Sequence, residues 1–242
     1  MAKTRISIIV PAYNEEKSIS KCLESLIRQT DRDFELVVVN NNSTDRTAEV
    51  AKKFVKRVYL EKKKGYHNAV QRGINETRGD VVAICDADTI YPRDWIQTAK
   101  EEFATHENAV AVYGRGTFYD APKAMKWINE NVYYGFMLTM AKLGVDVTNG
   151  FNFFIKRKAY LQAGGYDPKV YNSEGLDINL GARLKKMGEV FFSRKLTADT
   201  SFRRVQKEGL FNFIFTNLNM YARLLMNKPV KRSYEQYNDI KY

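Results

Sequence analysis

The sequence predicts a single α/β domain whose central sheet is mostly parallel and flanked by helices, with a helical appendage at the C-terminal end. Short apolar segments that favour strands alternate with helical segments through the first hundred residues. The strand segments are apolar on both faces, which is typical of a parallel sheet covered by helices on both sides. The 242 residues, 44% of them hydrophobic, contain no repeat, low-complexity tract or linker. A chain of this length and composition can bury a sizeable core as one domain.

The first half of the chain predicts four strands, each followed by a helix. The strands cover residues 5–10, 34–39, 57–60 and 81–85, and the helices cover 15–29, 43–54, 66–77 and 92–104. Apolar residues recur at helical spacing in the first helix, from Ile19 to Ile27. Ser43 suits the cap of the second helix, and Pro92 suits the first turn of the fourth.

The second half is less regular. Residues 109–118 alternate like a strand, 122–143 form a long apolar-rich helix, and 151–155 form another strand. A Gly-rich turn at 164–168 precedes a helix at 176–187, which Gly188 closes. Residues 190–192 are strand-like, and a helical segment followed by a polar tail begins at Arg203. We therefore divide the chain into a domain at 1–205 and a C-terminal amphipathic helix and tail at 206–242.

Charge and composition limit the class of function. Lys and Arg number 39 against 28 Asp and Glu, which gives a net charge of +11. Nucleic acid, an anionic membrane or a phosphorylated substrate would each account for this charge. Two cysteines and two histidines exclude a disulfide framework and a Cys/His zinc site. With no signal peptide and no run of about 20 apolar residues, we expect a cytoplasmic protein, soluble or bound to a membrane surface.

An acidic pair follows the most apolar strand. Asp86 and Asp88 come directly after residues 81–85, at the edge where ligands of an open parallel sheet bind. Carboxylate oxygens are hard ligands that suit Mg²⁺ or Mn²⁺ in contact with phosphate. The other interpretation of the pair is a turn that leads into the helix at Pro92.

Several blocks resemble the inverting glycosyltransferases of family 2, and in particular dolichol-phosphate-mannose-synthase-like and related non-processive members. The blocks are residues 7–15 (SIIVPAYNE), 37–45 (VVVNNNSTD), 78–80 (RGD), 86–88 (DAD), 150–152 (GFN) and 164–167 (GGYD). Their order and spacing are specific, and the similarity covers about residues 5 to 205. The resemblance implies the Rossmann-like GT-A fold and a nucleotide-sugar donor. The Gln-x-x-Arg-Trp motif of processive members is missing, which argues against a polysaccharide synthase.

The resemblance assigns residues to the sugar donor and its metal. Pro11, Ala12, Tyr13 and Glu15 would line the nucleoside pocket. Asp86 would lie near the ribose and the metal, and Asp88, after Ala87, would bind the Mg²⁺ or Mn²⁺ ion that bridges the diphosphate. The family's usual acidic pair is replaced by Asn40 and Asn41, so the base stays open between UDP and GDP. These two residues also suit a turn that caps the following helix.

Basic residues would add further contacts to the sugar donor. Arg72 is spaced like a basic residue that family members carry near the donor. Many relatives have a metal-binding His where this chain has a Ser-x-Arg-Arg sequence that ends in Arg203 and Arg204. Their guanidinium groups suit diphosphate oxygens.

The general base has two candidate registers. Asp177 fits the family's acidic motif through the spacing to Leu180 and Arg183, and Glu174 lies one turn upstream. We prefer Asp177; a solvated acid at a helix N-terminus is the other interpretation of that residue. On the acceptor side we assign Asn152 and Glu174. Trp127, in the aromatic-rich helix at 122–143, suits an acceptor groove, although an aromatic stripe at helical spacing is more often part of a core.

The leading prediction is metal-dependent transfer of a sugar to a lipid-linked or saccharide acceptor. From Arg203 onward the chain has eight Lys and Arg against three Asp and Glu, around an apolar helical segment. This pattern fits an interfacial helix on an anionic membrane, a helix packed on the domain or a homodimer contact. A sugar-phosphate nucleotidyltransferase would need a Gly-rich loop with Arg after the first strand, where residues 11–14 read PAYN. No nucleic-acid-binding motif occurs, so we expect no nucleic-acid partner.

Overall fold

The computed structural model describes residues 4–167, 175–213, 215, 216 and 219. Eight strands form one sheet in the order β3-β2-β1-β4-β7-β6-β8-β5. The strands are β1 (Ile6–Ala12), β2 (Phe34–Asn40), β3 (Val58–Leu60), β4 (Val81–Ile84), β5 (Thr89–Ile90), β6 (Ala109–Phe118), β7 (Phe153–Lys156) and β8 (Glu189–Thr200). The helices are α1 (Ile19–Ile27), α2 (Thr47–Lys52), α3 (Tyr66–Asn75), α4 (Trp95–Thr105), α5 (Lys123–Ile128), α6 (Tyr134–Lys142), α7 (Arg157–Gln162), α8 (Leu176–Leu184) and α9 (Arg203–Glu208).

The first four strands in the sheet order are parallel. Strand β1 pairs with β2 on one side and with β4 on the other, and β2 pairs with β3. All seven residues of β1 are buried, as expected for the centre of a parallel sheet. The carboxyl ends of β1, β2 and β4 therefore meet at one edge, and the loops that follow them lie together.

The remaining strands bring later parts of the chain to that same edge. Strand β7 runs antiparallel between β4 and β6, with Ile84 opposite Phe153. The short 3₁₀ turn Gly150–Asn152 before β7 therefore lies beside the end of β4. Strand β6 is parallel to β8, whose last residues pair with β5. The end of β8 thus also reaches this edge.

Helices cover both faces of the sheet. Helices α1 and α4 bury their apolar residues in one hydrophobic cluster with β1 and β4 residues such as Ile8 and Ala83. Helices α3, α7 and α8 belong to the cluster on the opposite face, with Ile9 and Val82. The two clusters alternate along each strand because successive side chains point to opposite faces. The predicted single α/β domain with a mostly parallel sheet is confirmed.

Several element boundaries differ from the sequence prediction. The helix predicted over 122–143 is divided into α5, a π-helix at Asn129–Tyr133 and α6. Helices α2 and α4 begin three or four residues late, because the residues before them form turns at the sheet edge. Strand β5 and helix α7 were not predicted, and β8 is much longer than 190–192. The turn at 164–168 is described as far as Asp167, with Gly164 and Gly165 at positive φ.

The C-terminal appendage is described only in part. Helix α9 crosses the predicted boundary at residue 206, and Val205 on it is buried. The division at residue 205 stays a prediction. Most of the predicted amphipathic helix and tail lies outside the described residues. In the described part of the chain, no helix has the length and apolar character needed to span a bilayer.

Candidate active site

A cavity of about 560 Å³ opens at the carboxyl edge of the sheet. Its polar lining includes Asp86, Asp88, Asp177 and Arg203. The lining is otherwise largely apolar. It includes Phe118, Met125, Ile128, Val132, Tyr133, Phe136, Phe151, Leu176, Ile178, Leu210 and Phe213. The cavity therefore joins an acidic, Arg-containing end to a long apolar lining.

The loop after β1 is fixed against the loop after β2. Pro11 and Ala12 are buried at the end of β1, and Tyr13 follows them. The Glu15 N–H donates to Thr47 Oγ1 at 2.7 Å, which anchors the loop to the start of α2. Glu15 itself is buried.

Asn14 adds a second tie between these loops. Its φ of 53° lies in the left-handed region that Asn tolerates, and its Oδ1 accepts the Thr44 N–H at 2.9 Å. The residues assigned to the nucleoside thus stand in a rigid loop at the sheet edge.

Asn40 and Asn41 use their amides to hold neighbouring loops. Asn40 Oδ1 accepts the Ser43 N–H at 3.2 Å. Asn41 Nδ2 donates to the Lys63 carbonyl, and Asn41 Oδ1 accepts the Gly65 N–H, both at 2.8 Å. Asn40 therefore takes part in the turn that precedes α2, whereas Asn41 holds the loop before α3. Contact with a nucleoside base stays a prediction.

Asp86 and Asp88 form the acidic end of the cavity. Tyr66 Oη donates to Asp86 Oδ1 at 3.3 Å. Asp88 is 7% exposed, and its Oδ2 lies 2.8 Å from Arg203 Nη2. Asp88 Oδ1 is buried and has no hydrogen-bond partner in the part of the chain that the structure describes. An unpaired buried carboxylate oxygen is costly, so this atom is suited to a further ligand.

The donor set of this end fits a divalent cation that binds together with a diphosphate. Mg²⁺ and Mn²⁺ favour carboxylate oxygens, and Mg²⁺ is often held by only one or two of them plus substrate phosphates and water. Asp88 Oδ1 and the Asp86 carboxylate provide that number. Among the described residues there is no cluster of three His, Cys, Asp or Glu side chains that would bind a metal ion by itself.

Arg203 and Arg204 have different surroundings. Arg203 pairs with both Asp88 and Glu15, and its Nη1 donates to Ser18 Oγ at 3.3 Å. Arg204 Nε lies 2.9 Å from Glu208 on the same helix, and its guanidinium group lies over the Phe213 ring. Both residues line the cavity, but of the two only Arg203 forms an ion pair with the acidic end in the described structure.

Asp177 lines the same cavity from the first turn of α8. Gly175, which precedes this helix, has a φ of 74° that L-residues with a side chain rarely adopt. Burial raises the pKa of Asp177 to about 6, against hydrogen bonds from the N–H groups of Asp177, Gly150 and Ile178, and Asp86 raises it further. A carboxylate with a pKa near 6 is a suitable general base at neutral pH.

Arg72 and Trp127 are among the residues assigned from the sequence that do not line the cavity. Arg72 pairs with Glu76 at 2.8 Å and lies over the Tyr59 ring. Trp127 is 61% exposed on α5 and is not part of the lining.

Asn152 is not an acceptor-side residue in this structure. It is fully buried, and its Oδ1 accepts the Trp95 indole N–H at 2.8 Å. Its Nδ2 donates to the carbonyl groups of Arg115 and Leu196. The amide therefore links α4, β6 and β8, which explains why Asn stands in this block. Glu174 lies outside the described residues.

Sequence reasoning missed two cavity residues that the structure adds. Tyr66 donates to Asp86, and Tyr166 lines the cavity with a buried hydroxyl that has no partner in the described ranges. Their rings lie 6.0 Å apart. Tyr166 belongs to the family-like block at 164–167, but the sequence of a Gly-rich turn does not indicate that its aromatic side chain lines the cavity. Tyr66 was visible only as the start of a helix.

Comparison with known proteins gives related sequences. The family described as Glycosyl transferase family 2 matches residues 7–163. The glycosyltransferase GlyA of Streptococcus pneumoniae is 34% identical over 120 residues, which cover 48% of this chain and 17% of GlyA. The probable glycosyltransferase YdaM of Bacillus subtilis is 28% identical over 202 residues, which cover 76% of this chain and 47% of YdaM. The chain thus spans less than half the length of these two relatives.

Solved structures give the same fold. The mannosyltransferase PcManGT of Pyrobaculum calidifontis, in complex with GDP-Man and Mn²⁺, superposes with a TM-score of 0.68 at 19% identity. The match covers 99% of this chain and 68% of that protein. At this identity the likeness shows the fold alone, and it confirms the predicted GT-A architecture. With a family match over more than half of its length, the chain belongs to glycosyl transferase family 2.

Proposed function

We propose that this chain is a metal-dependent, inverting glycosyltransferase. It transfers a sugar from a UDP- or GDP-linked donor to a hydroxyl or phosphate of a lipid-linked or saccharide acceptor. One observation carries the proposal: Asp86 and Asp88 share a single cavity with Asp177, which has the pKa of a general base. The two parts of the site are the two that inverting transfer needs, a diphosphate-binding end and a base.

The acidic end would bind the sugar donor. Asp86 and Asp88 would hold Mg²⁺ or Mn²⁺, which neutralises the charge that develops on the departing nucleoside diphosphate. Arg203 would contact the diphosphate oxygens, since guanidinium groups pair well with them. The fixed loops after β1 and β2 would surround the nucleoside. Titration with UDP and GDP distinguishes the two bases.

Asp177 would take the proton of the attacking acceptor hydroxyl. Inverting transfer proceeds by a single displacement, so one carboxylate near the acceptor is sufficient. Asp177 is held in place by backbone N–H groups and lines the cavity between two apolar lining residues, Leu176 and Ile178. Its proton uptake therefore takes place away from bulk water and next to the acceptor's side of the cavity.

The lining of the cavity favours a lipid-linked acceptor. Apolar side chains of α5, the π-helix and α6 line the same cavity as those of the segment after α9. Such a lining suits a hydrocarbon chain better than a polar saccharide. Phe211 and Phe215 are 88% and 72% exposed, which suits insertion into an anionic membrane surface. This arrangement supports a non-processive, dolichol-phosphate-mannose-synthase-like subtype that works at the cytoplasmic face of a membrane.

The sugar donor is tested by binding. The chain is titrated with UDP and GDP, each with and without Mn²⁺, and its thermal unfolding and binding heat are measured. We expect one nucleotide to stabilise the chain, and only in the presence of Mn²⁺. Hydrolysis of a panel of UDP- and GDP-sugars by the same preparation then gives the sugar. Absence of a metal-dependent shift with either nucleotide would overturn the proposed function.

The base is tested by paired variants. Asp177→Asn removes the proposed base and keeps the size of the side chain, and Glu174→Gln does the same for the other register. We expect Asp177→Asn to lower kcat about 10²- to 10⁴-fold, the range typical for a general base, with nucleotide affinity unchanged. Retained turnover in Asp177→Asn together with loss in Glu174→Gln would assign the role to Glu174.

A further inference from the structure

Arg203 bridges two carboxylates that come from different loops. Its Nη2 lies 2.8 Å from Asp88 Oδ2 and also contacts Glu15 Oε1. Asp88 follows β4, Glu15 follows β1, and Arg203 begins α9. Glu15 and Arg203 are 188 positions apart in the sequence. A single guanidinium group therefore forms ion pairs with two buried carboxylates from separate loops.

This ion pair conflicts with the ligand role of Asp88. Asp88 and Glu15 are both buried, and buried carboxylates require a compensating positive charge. In the structure Arg203 provides that charge and occupies one of the two Asp88 oxygens. A cation that used the same carboxylate would meet the Arg203 charge at close range. Like charges at this distance repel strongly in a cavity that is partly shielded from water.

A diphosphate resolves the conflict because it offers Arg203 another partner. The guanidinium group has five N–H donors in a planar fork that suits phosphate as well as carboxylate. Arg203 lines the cavity and its side chain is 24% exposed, so it stands where the diphosphate would enter. The same arginine can thus neutralise Asp88 when the cavity holds no nucleotide and the diphosphate when it does.

We propose that the Arg203 ion pairs with Asp88 and Glu15 act as a latch that makes metal binding depend on the sugar donor. Without nucleotide, Arg203 holds Asp88 and the acidic end binds divalent cations weakly. When the diphosphate enters, Arg203 turns to its oxygens and Asp88 becomes available to the cation. Glu15 is the positioning residue, since it keeps Arg203 beside Asp88. The inference rests on the proposed function, because it requires a diphosphate and a metal at this site.

The first test measures Mn²⁺ binding in the absence of nucleotide, from the electron paramagnetic resonance signal of free Mn²⁺. We expect weak binding to the wild-type chain and at least tenfold tighter binding to Arg203→Gln, in line with the strength of a charged hydrogen bond. Arg46→Gln is the matched control. It removes the same charge from an exposed pair with Glu16, and its Mn²⁺ affinity should equal that of wild type. Equal affinity of Arg203→Gln and wild type would overturn the latch.

The second test needs no change at Arg203 and stands if that variant fails to fold. Binding of UDP and GDP is measured by calorimetry in excess chelator. Asp88→Asn breaks the ion pair and should raise metal-free nucleotide affinity about tenfold, because Arg203 is then available to the diphosphate. Asp86→Asn removes an equal charge without breaking the pair, so its gain should be much smaller. Equal gains in both variants would show simple relief of repulsion and contradict the latch.

A double variant closes the cycle. In Asp88→Asn/Arg203→Gln the gain of Asp88→Asn should disappear, and its persistence would exclude Arg203 as the cause. The two proposals fail in different ways. If neither nucleotide binds to the wild-type chain with Mn²⁺, the proposed function fails and the latch fails with it. If one nucleotide binds with Mn²⁺ and the variants behave alike, only the latch fails.

Discussion

The carboxylate of Asp177 lies directly against Gly150. A Cβ atom placed at residue 150 would stand 3.3 Å from Asp177 Oδ2, and the Gly150 N–H hydrogen-bonds to the same carboxylate. The contact joins the 3₁₀ turn before β7 to the first turn of α8. The position of the proposed base therefore depends on a residue that has no side chain.

Gly150→Ala should lower activity without unfolding the chain. The added methyl group crowds the Asp177 carboxylate, and a shift of about 1 Å in a catalytic group can reduce turnover by about 10²-fold. Residue 150 is not at positive φ, so the backbone accepts Ala. Donor hydrolysis and thermal unfolding are measured together. Full activity in Gly150→Ala would show that the contact does not position the base. Gly135→Ala is a suitable control, since a Cβ there meets nothing within 4 Å.

Asp177→Asn should make the chain more stable at neutral pH. Burial raises the pKa of Asp177 to about 6 in the folded chain, above its value in an unfolded chain. Because the pKa is higher in the folded chain, ionisation of Asp177 favours unfolding. The free energy of unfolding should therefore decrease as pH rises from about 4 to about 6, and the full loss is reached above pH 6. Asp177→Asn should therefore raise the free energy of unfolding by about 1–3 kcal/mol at pH 7.5 and leave it unchanged at pH 4. The free energy of unfolding in urea, measured at both pH values, checks this.

The same pKa predicts the pH dependence of turnover. Asp177 must be ionised to accept a proton, and kcat/KM reports the pKa of the free enzyme, so kcat/KM should fall about tenfold for each pH unit below about 6. The profile is measured with sugar donor and acceptor well below saturation, over a range where thermal unfolding shows that the chain stays folded. A flat profile down to pH 5 would mean that another group is the base.

Glu35 should stabilise the edge of the sheet opposite the cavity. Burial by itself would raise the pKa of Glu35, but hydrogen bonds from the Arg78 N–H, Ser7, Arg57 and the Gly79 N–H lower it to about 2. This stabilisation is present above the unfolded pKa near 4.5 and is lost as pH falls toward 2. Glu35→Gln should cost on the order of 2 kcal/mol at pH 7 and little at pH 2.5. A urea titration at each pH gives both values, and an equal cost at the two would contradict the assignment.

Membrane association should depend on the exposed phenylalanines after α9. Phe211→Ser/Phe215→Ser removes the two large apolar side chains that have the largest exposed fractions among the described residues. We expect sedimentation with vesicles that contain anionic lipid to fall about tenfold or more, since each buried aromatic contributes roughly 1.5–3 kcal/mol. Leu161→Ser is the matched control, because Leu161 is 54% exposed on α7 and lies outside the cavity lining. Equal loss in the control, or no loss in the double variant, would exclude this surface.

Local features of the sequence predicted most of the strands and the positions of the loops. Strand β6 has the predicted bounds, although its burial does not alternate: residues 109 and 111–114 are buried and the others are half-buried. Helix α7 was missed since six residues carry too short a pattern for a helical period. The helix over 122–143 was predicted as continuous because a π-helix has no signal in propensity or periodicity.

Some residues of the site could be assigned from their neighbours in the sequence, whereas others depend on contacts between distant parts of the chain. Asp86 and Asp88 could be placed because they follow a buried strand at once, and Asp177 because of its spacing to Leu180 and Arg183. The role of Asn152 was wrong because its partners, Trp95, Arg115 and Leu196, come from three distant elements. A block of letters shows that a residue belongs to a pattern. It does not show which way its side chain points.

The sequence by itself determined the alternation of strands and helices, the parallel core of the sheet and the acidic pair at its edge. These follow from local periodicity and from the burial of apolar residues on both faces. Only the tertiary structure decided that β7 runs antiparallel between β4 and β6, which places Gly150 beside Asp177. It also decided that Arg203 forms an ion pair with Asp88. Such contacts join residues far apart in the chain, and they form only where packing of the whole domain offsets the entropy of closing long loops.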